Sequence, residues 1–250
     1  MPAFKDHFST AAAGYAAHRP RYPQALADFL ADAAPARDLA LDVGCGSGQF
    51  SLTLAERFAG VVATDASAAQ IGGATPHPGI AYRVAPAERS GLPGASVDLI
   101  TAAQAAHWFD LDAFYAETRR VARPRAVVAL ISYGVPRIED AAADAVLGQF
   151  HHGTLAPYWP AERRHVEDGY RALPFPFAAL EAPRLAIAVA WRLAELIGYV
   201  ETWSAVRAAE RAVGRAPVEA FRAALTGVWG DPEAAKPVRW PLALRVGRAP

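Results

Sequence analysis

Apolar and polar positions along the chain alternate between short strand-like runs and helix-like stretches. The first clear run, Leu39–Val43, is apolar apart from Asp42 and ends in three glycines separated by small residues, Gly44, Gly46 and Gly48. This pattern predicts a strand, a tight turn and a helix from about Gln49 to Phe58, where Phe50, Leu54 and Phe58 recur at i,i+4 on one face. Further runs predict strands over Val61–Thr64, Ile80–Val84, Val97–Ala102, Ala126–Ser132, Arg184–Ala190 and Val238–Val246. Helices are expected between them over Ala66–Gly73, Leu111–Ala122, Trp191–Arg211 and Pro217–Trp229. Pro241 lies inside the last strand run and suits an edge or a bulge there. Ahead of the first strand, Phe8–Pro23 reads as a helix closed by Arg19-Pro20, with a second helix from about Gln24 to Ala33. Strands alternating with helices predict a doubly wound α/β fold.

One stretch breaks this rhythm. Residues Pro136–Phe177 are rich in aromatic and histidine side chains, among them Phe150, Tyr158, Trp159, His165 and Tyr170. An insertion after the fifth strand can cover the ligand edge of the sheet and form a water-poor pocket; the alternative is a satellite core under a long loop. Tyr158, Trp159 and Tyr170 are expected in the pocket, with Tyr199 and Trp203 from the helices that follow. His151-His152 has no further ligand at a recognisable spacing, so no metal is expected.

Composition narrows the classes. With 53% hydrophobic and 20% charged residues in 250, the chain can bury a substantial core as one enlarged domain. Its 25 basic and 25 acidic residues balance, leaving no overall electrostatic footprint for nucleic acid or a membrane surface. A single cysteine, Cys45, excludes an intramolecular disulfide and reads as a small residue tolerated in a tight loop rather than a redox group. The first twenty residues lack a signal-peptide core, and no apolar run approaches the ~18 residues of a membrane helix. A cytoplasmic protein, monomeric or homodimeric, is expected.

The chemistry concentrates at the glycine turn. Glycine is needed where the chain leaves a strand at positive φ and a ligand approaches bare backbone. Asp65 follows the next strand, 21 residues after Gly44, where nucleotide-binding α/β folds place an acid on a ribose. A dinucleotide dehydrogenase shares this outline, but its third glycine would stand at position 49, which is Gln49, and the glycine comes early at Gly48. Asp42 would repel a pyrophosphate and favour an ammonium group. S-adenosylmethionine carries an ammonium and a ribose diol and no phosphate. The turn also lacks the Gly-Lys-Ser/Thr ending of a P-loop. An NAD-dependent dehydrogenase and a cofactor-binding regulatory protein without transfer activity remain as alternatives.

LDVGCGSG, then VVATDAS, then AERSGLPGASVDLITAAQAAHWF together resemble the class I S-adenosylmethionine-dependent methyltransferases, in the small-molecule group that includes trans-aconitate methyltransferase. The resemblance covers roughly Phe8 to Tyr133. It implies a mostly parallel seven-stranded sheet with the last strand antiparallel. With the element pattern, this divides the chain into a helical lid over residues 1–34, a cofactor-binding core over 35–133, a substrate cap over 134–183 and C-terminal strands and helices over 184–250. By the same resemblance Gly44, Cys45, Gly46 and Asp42 hold the methionine part of S-adenosylmethionine, Asp65 takes the ribose hydroxyls, and Ala66, Ala87 and Glu88 lie by the adenine. Pro86 stands where many relatives carry an Asp. The N-terminal pattern F-S-x5-Y-x3-R-P-x-Y-P resembles that group too, and implies that Tyr15 and Arg19 close over the cofactor.

Gln104, His107 and Trp108 follow the fourth strand at the ligand edge of the sheet and are expected in the site. The implied reaction is displacement at a sulfonium methyl, yielding S-adenosylhomocysteine, in which the protein aligns the nucleophile of a small-molecule acceptor and excludes water. His107 is the candidate base for a hydroxyl or amine acceptor, with a rate limb near the reference histidine value of about 6.5. A carboxylate acceptor, slightly favoured by the resemblance, needs no base.

Overall fold

The computed structural model describes residues 20–250. The helix expected over Phe8–Arg19, with Tyr15 and Arg19, lies outside the described residues. The chain enters through α1 (Gln24–Ala33), which buries Leu26, Ala27, Leu30 and Ala31. The core then alternates: β1 (Leu39–Val43), α2 (Gln49–Leu54), β2 (Gly60–Asp65), α3 (Ala68–Gly72), β3 (Ile80–Val84), β4 (Val97–Ala103), α4 (Leu111–Val121) and β5 (Ala122–Ser132). After β5 come β6 (Arg137–Ile138), α5 (Ala141–Gln149), α6 (Arg163–Glu167), β7 (Ala178–Leu180) and β8 (Ala186–Trp191). The chain ends with α7 (Leu193–Glu201), α8 (Ser204–Val213), α9 (Ala216–Trp229), β9 (Lys236–Pro241) and β10 (Ala243–Arg248).

Seven strands form one sheet in the order β3-β2-β1-β4-β5-β10-β7. β1 to β5 are mutually parallel, and β10 runs antiparallel to both of its neighbours. The period of two in each strand divides its residues between two layers. Ala40, Ala63, Leu99, Val127, Ala129 and Ile131 pack with α1 and α2. Leu41, Val43, Val62, Ile100, Val128 and Leu130 pack on the other face with Phe114 and Tyr115 of α4. Helices on both faces explain why the strands read as nearly continuous apolar runs. The crossover from β1 to β4 brings the carboxyl ends of both to the ligand edge of the sheet.

The C-terminal third differs from expectation. The run taken as a sixth strand, Arg184–Ala190, forms β8 in a separate three-stranded antiparallel sheet ordered β6-β9-β8. The main sheet's edge strand is instead the short β7. The run Val238–Val246 is two strands, broken after Pro241, where Leu242 leaves the ladder and its N–H donates to the Leu185 carbonyl at 2.9 Å. Proline has no N–H with which to continue a ladder, so the chain changes sheet there. The small sheet and α5, α7, α8 and α9 share a second core that includes Phe150, Tyr199, Trp203, Phe221, Trp229 and Trp240.

Candidate active site

Gly44, Gly46 and Gly48 sit at φ +66°, +56° and +86°. A Cβ on Gly44 would lie 2.5 Å from the Ala105 Cβ, and one on Gly48 2.4 Å from the Tyr82 hydroxyl. Around Gly46 the nearest atom is the Gln70 side-chain oxygen at 3.8 Å. The outer two glycines are therefore required by the fold, whereas the space beside Gly46 is open to a ligand. The Gly46 N–H donates to Asp65 Oδ2 at 2.9 Å and the Ser67 N–H to Oδ1 at 2.8 Å, so the acid at the end of β2 fixes the turn from the side.

Asp42 does not face the open space. It is 1% exposed, and it accepts from the Ser51 hydroxyl at 2.6 Å and the Thr101 hydroxyl at 2.8 Å, tying β1 to α2 and β4. Burial raises its carboxyl to about 6, the Asp65 charge adding to the effect. Burial likewise pushes the Cys45 thiol far up, which leaves it without thiolate character. Ala66 is half-buried just beyond Asp65. Ala87 packs against the α4 layer, and Glu88 accepts from the Asp110 N–H at 3.1 Å.

Buried polar atoms around this edge without a hydrogen-bond partner among the described residues include the Gln70 and Gln104 side-chain oxygens and the Tyr82 hydroxyl. Leaving such atoms unmade costs about 1–3 kcal/mol each, the usual mark of groups that await a ligand or water. Gln104 is also strained, at φ +59° just past β4, and its amide donates to the Tyr133 carbonyl at 2.7 Å. Sequence reading missed Tyr82 and Gln70. Tyr82 is the middle residue of β3, a strand ending at the ligand edge, which is a signal that could have found it; Gln70 has none.

Beyond Gln104, a 3-10 turn over Ala106–Trp108 carries His107, whose ring lies 4.7 Å from that of Trp108. Its Nδ1 is 2.8 Å from the hydroxyl of fully buried Tyr170. The backbone N–H groups of His107 and Ala106 also interact with that oxygen, and burial pushes the phenol well above its ordinary range. We assign the donor role in this contact to the Tyr170 hydroxyl, which places the His107 proton on Nε2. Burial, helped by Arg163 and His165, pushes His107 down to about 3. The ring is held neutral at physiological pH.

Arg163 opens α6 and lies over the Trp159 ring at 4.7 Å. Trp159 donates its N–H to the His151 carbonyl at 3.2 Å. Thus His107, Trp108 and Tyr170 come together, and Arg163, a cation that sequence reading missed, stacks on Trp159 and acts by its charge on His107 and Tyr170. Tyr158 is half-buried against the second core. Tyr199 and Trp203 are inside that core, Tyr199 with the Trp240 N–H on its hydroxyl at 3.1 Å.

A doubly wound sheet of this order, with a glycine turn after β1 and an acid closing β2, defines an α/β enzyme that binds a nucleoside cofactor at its carboxyl edge. Residues 41–130 match the family model described as a methyltransferase domain. A protein of Dictyostelium discoideum named a putative methyltransferase is 34% identical over 204 residues, covering 80% of this chain and 78% of its own. A structure described as a type II methyltransferase from Anaeromyxobacter dehalogenans is 55% identical, with a TM-score of 0.87 over 92% of this chain and 98% of that one. A malonyl-[acyl-carrier protein] O-methyltransferase of Dechloromonas aromatica is 33% identical over 151 residues, 56% of this chain and 53% of its own. The chain belongs to the class I S-adenosylmethionine-dependent methyltransferases. No helix among the described residues is long and apolar enough to cross a membrane.

Proposed function

We infer that the chain methylates a carboxylate oxygen of a small molecule, with S-adenosylmethionine supplying an activated methyl on its sulfonium sulfur. The observation that carries this reading is the character of the acceptor face. His107 is neutral with its proton on Nε2, and the Arg163 charge acts on both His107 and Tyr170, so the face offers a hydrogen-bond donor and a cation and no base of ordinary strength. Such a face suits an anionic acceptor, which needs no deprotonation.

Bound S-adenosylmethionine would supply the methyl on its sulfonium, and a carboxylate acceptor oriented by His107 and Arg163 would take it at oxygen, leaving a methyl ester and S-adenosylhomocysteine with no proton to move. The resemblance to the trans-aconitate methyltransferase group and a relative named as an O-methyltransferase support oxygen as the acceptor.

For the cofactor, the backbone of Gly44, Cys45 and Gly46 holds the methionine part, Asp65 the ribose hydroxyls, and Ala66, Ala87 and Glu88 the adenine. The unmade polar atoms of Gln104, Gln70 and Tyr82 add hydrogen bonds at the same edge. Asp42 acts from beneath by fixing the turn. A radiolabelled-methyl screen across carboxylic acids, phenols and amines tests the reading. Base-labile label on carboxylic acids alone, at a rate flat above about pH 6, is expected. N- or C-methylated products, or a hydroxyl substrate with a limb near 6.5, would overturn it.

A further inference from the structure

A second side-chain cluster stands apart from the glycine turn. After α5 the helix continues as one π turn, Phe150–Thr154, a rare geometry that recurs at functional sites. That turn places the ring nitrogens of neighbouring histidines face to face, His151 Nδ1 3.2 Å from His152 Nδ1. His151 is 1% exposed, held by the Trp159 ring at 4.8 Å and the edge of Trp203 at 5.3 Å. Its Nε2 is buried with no hydrogen bond among the described residues and lies 3.9 Å from Oε1 of Glu167, the last residue of α6. One ring nitrogen of each histidine and one Glu167 oxygen fall within 4.8 Å of one another. All three residues line a cleft of about 310 Å³, so solvent reaches the open side.

We propose that His151, His152 and Glu167 form a binding site for a divalent transition-metal ion of the zinc type. An ion about 2.1 Å from two nitrogens 3.2 Å apart sees them at an angle of about 100°, close to both tetrahedral and octahedral values. Glu167 is partly exposed and closes the third position by a rotation of its side chain. Two imidazoles and a carboxylate suit Zn2+, Co2+ and Ni2+, and are a poor set for Mg2+ or Ca2+. The histidine pair by itself does not satisfy the buried ring: if either tautomer makes the Nδ1 contact, Nε2 is left as an unmade donor or acceptor. Metal at Nδ1 takes the lone pair of that nitrogen and fixes the His151 proton on Nε2. Arg163, 3.9 Å from Glu167, opposes a cation and holds the affinity to the micromolar range. The third ligand is 15 residues beyond His152, with only the fold to bring it back.

The test is titration of untagged protein with Zn2+ by calorimetry, and with Co2+ followed by visible absorption. One ion per chain is expected with Kd of about 1–10 μM, weakened at least about tenfold in His152→Ala and in Glu167→Gln, while S-adenosylhomocysteine affinity stays unchanged. Both substituted residues are solvent-accessible, so the variants fold. Binding weaker than about 1 mM in the parent chain, or binding that both variants retain, would overturn the proposal. Because S-adenosylhomocysteine binding is read separately, failure here is distinguishable from failure of the methyl-transfer reading.

Discussion

Replacing Asp42 with asparagine removes a charge from the core and keeps its shape. The carboxyl is 1% exposed and its folded pKa is raised from 3.8 to about 6, mainly by burial. A raised folded pKa means that the folded state disfavours the ionised form. The destabilisation is absent below about pH 4, grows between about 4 and 6 as the folded carboxyl lags behind the unfolded one, and is complete above about 6. A displacement of about two pH units corresponds to about 3 kcal/mol. Asparagine does not ionise; its oxygen can accept from one of the two hydroxyls, and its NH2 can donate to the oxygen of the other. The cofactor-free Asp42→Asn variant should therefore exceed the parent in stability by up to about 3 kcal/mol at pH 8, with the gap closing toward about pH 4. Urea unfolding at unit pH steps across that window measures it. An asparagine variant less stable than the parent at pH 8, or a gap independent of pH, would refute the reasoning.

Asp65→Ala should keep the fold and weaken S-adenosylhomocysteine binding by roughly ten- to a hundredfold, from the loss of a charged acceptor; calorimetry showing no change would sink the ribose assignment. Gly44→Ala should lower the melting temperature, because its methyl meets Ala105, whereas Gly46→Ala should fold with a strain of about 1–2 kcal/mol and lose cofactor affinity. Equal effects of the two on melting would contradict that distinction. Tyr170→Phe removes the hydroxyl that sets the His107 tautomer; nitrogen NMR should show the Nδ1–H and Nε2–H forms mixing, and kcat should fall with cofactor affinity unchanged. A parent spectrum already mixed would contradict the assignment of Nε2–H.

What the sequence determined by itself was local. The apolar runs of β1 to β5 and the glycines after β1 constrain only the residues that carry them, through strand burial and backbone sterics, and their order implies the parallel sheet. The carboxyl-edge residues Asp65 and Gln104 follow from strand ends alone. Tertiary structure decided everything that depends on which side of a strand or helix meets which neighbour. Asp42 sits on the ligand strand, yet its carboxylate turns into the core because Ser51 and Thr101 wait there. Tyr170 is 63 residues from His107 and sets its tautomer. Pro241 announced a break, but only the competing ladders of β8 and β5 decided that the two halves would join different sheets. Arg163 and Glu167 have no periodic signal in the sequence, since a short polar helix owes its place to Val166 packing into the core beside α4. Contacts between residues far apart in the chain form only when the whole core closes, and no local pattern records them.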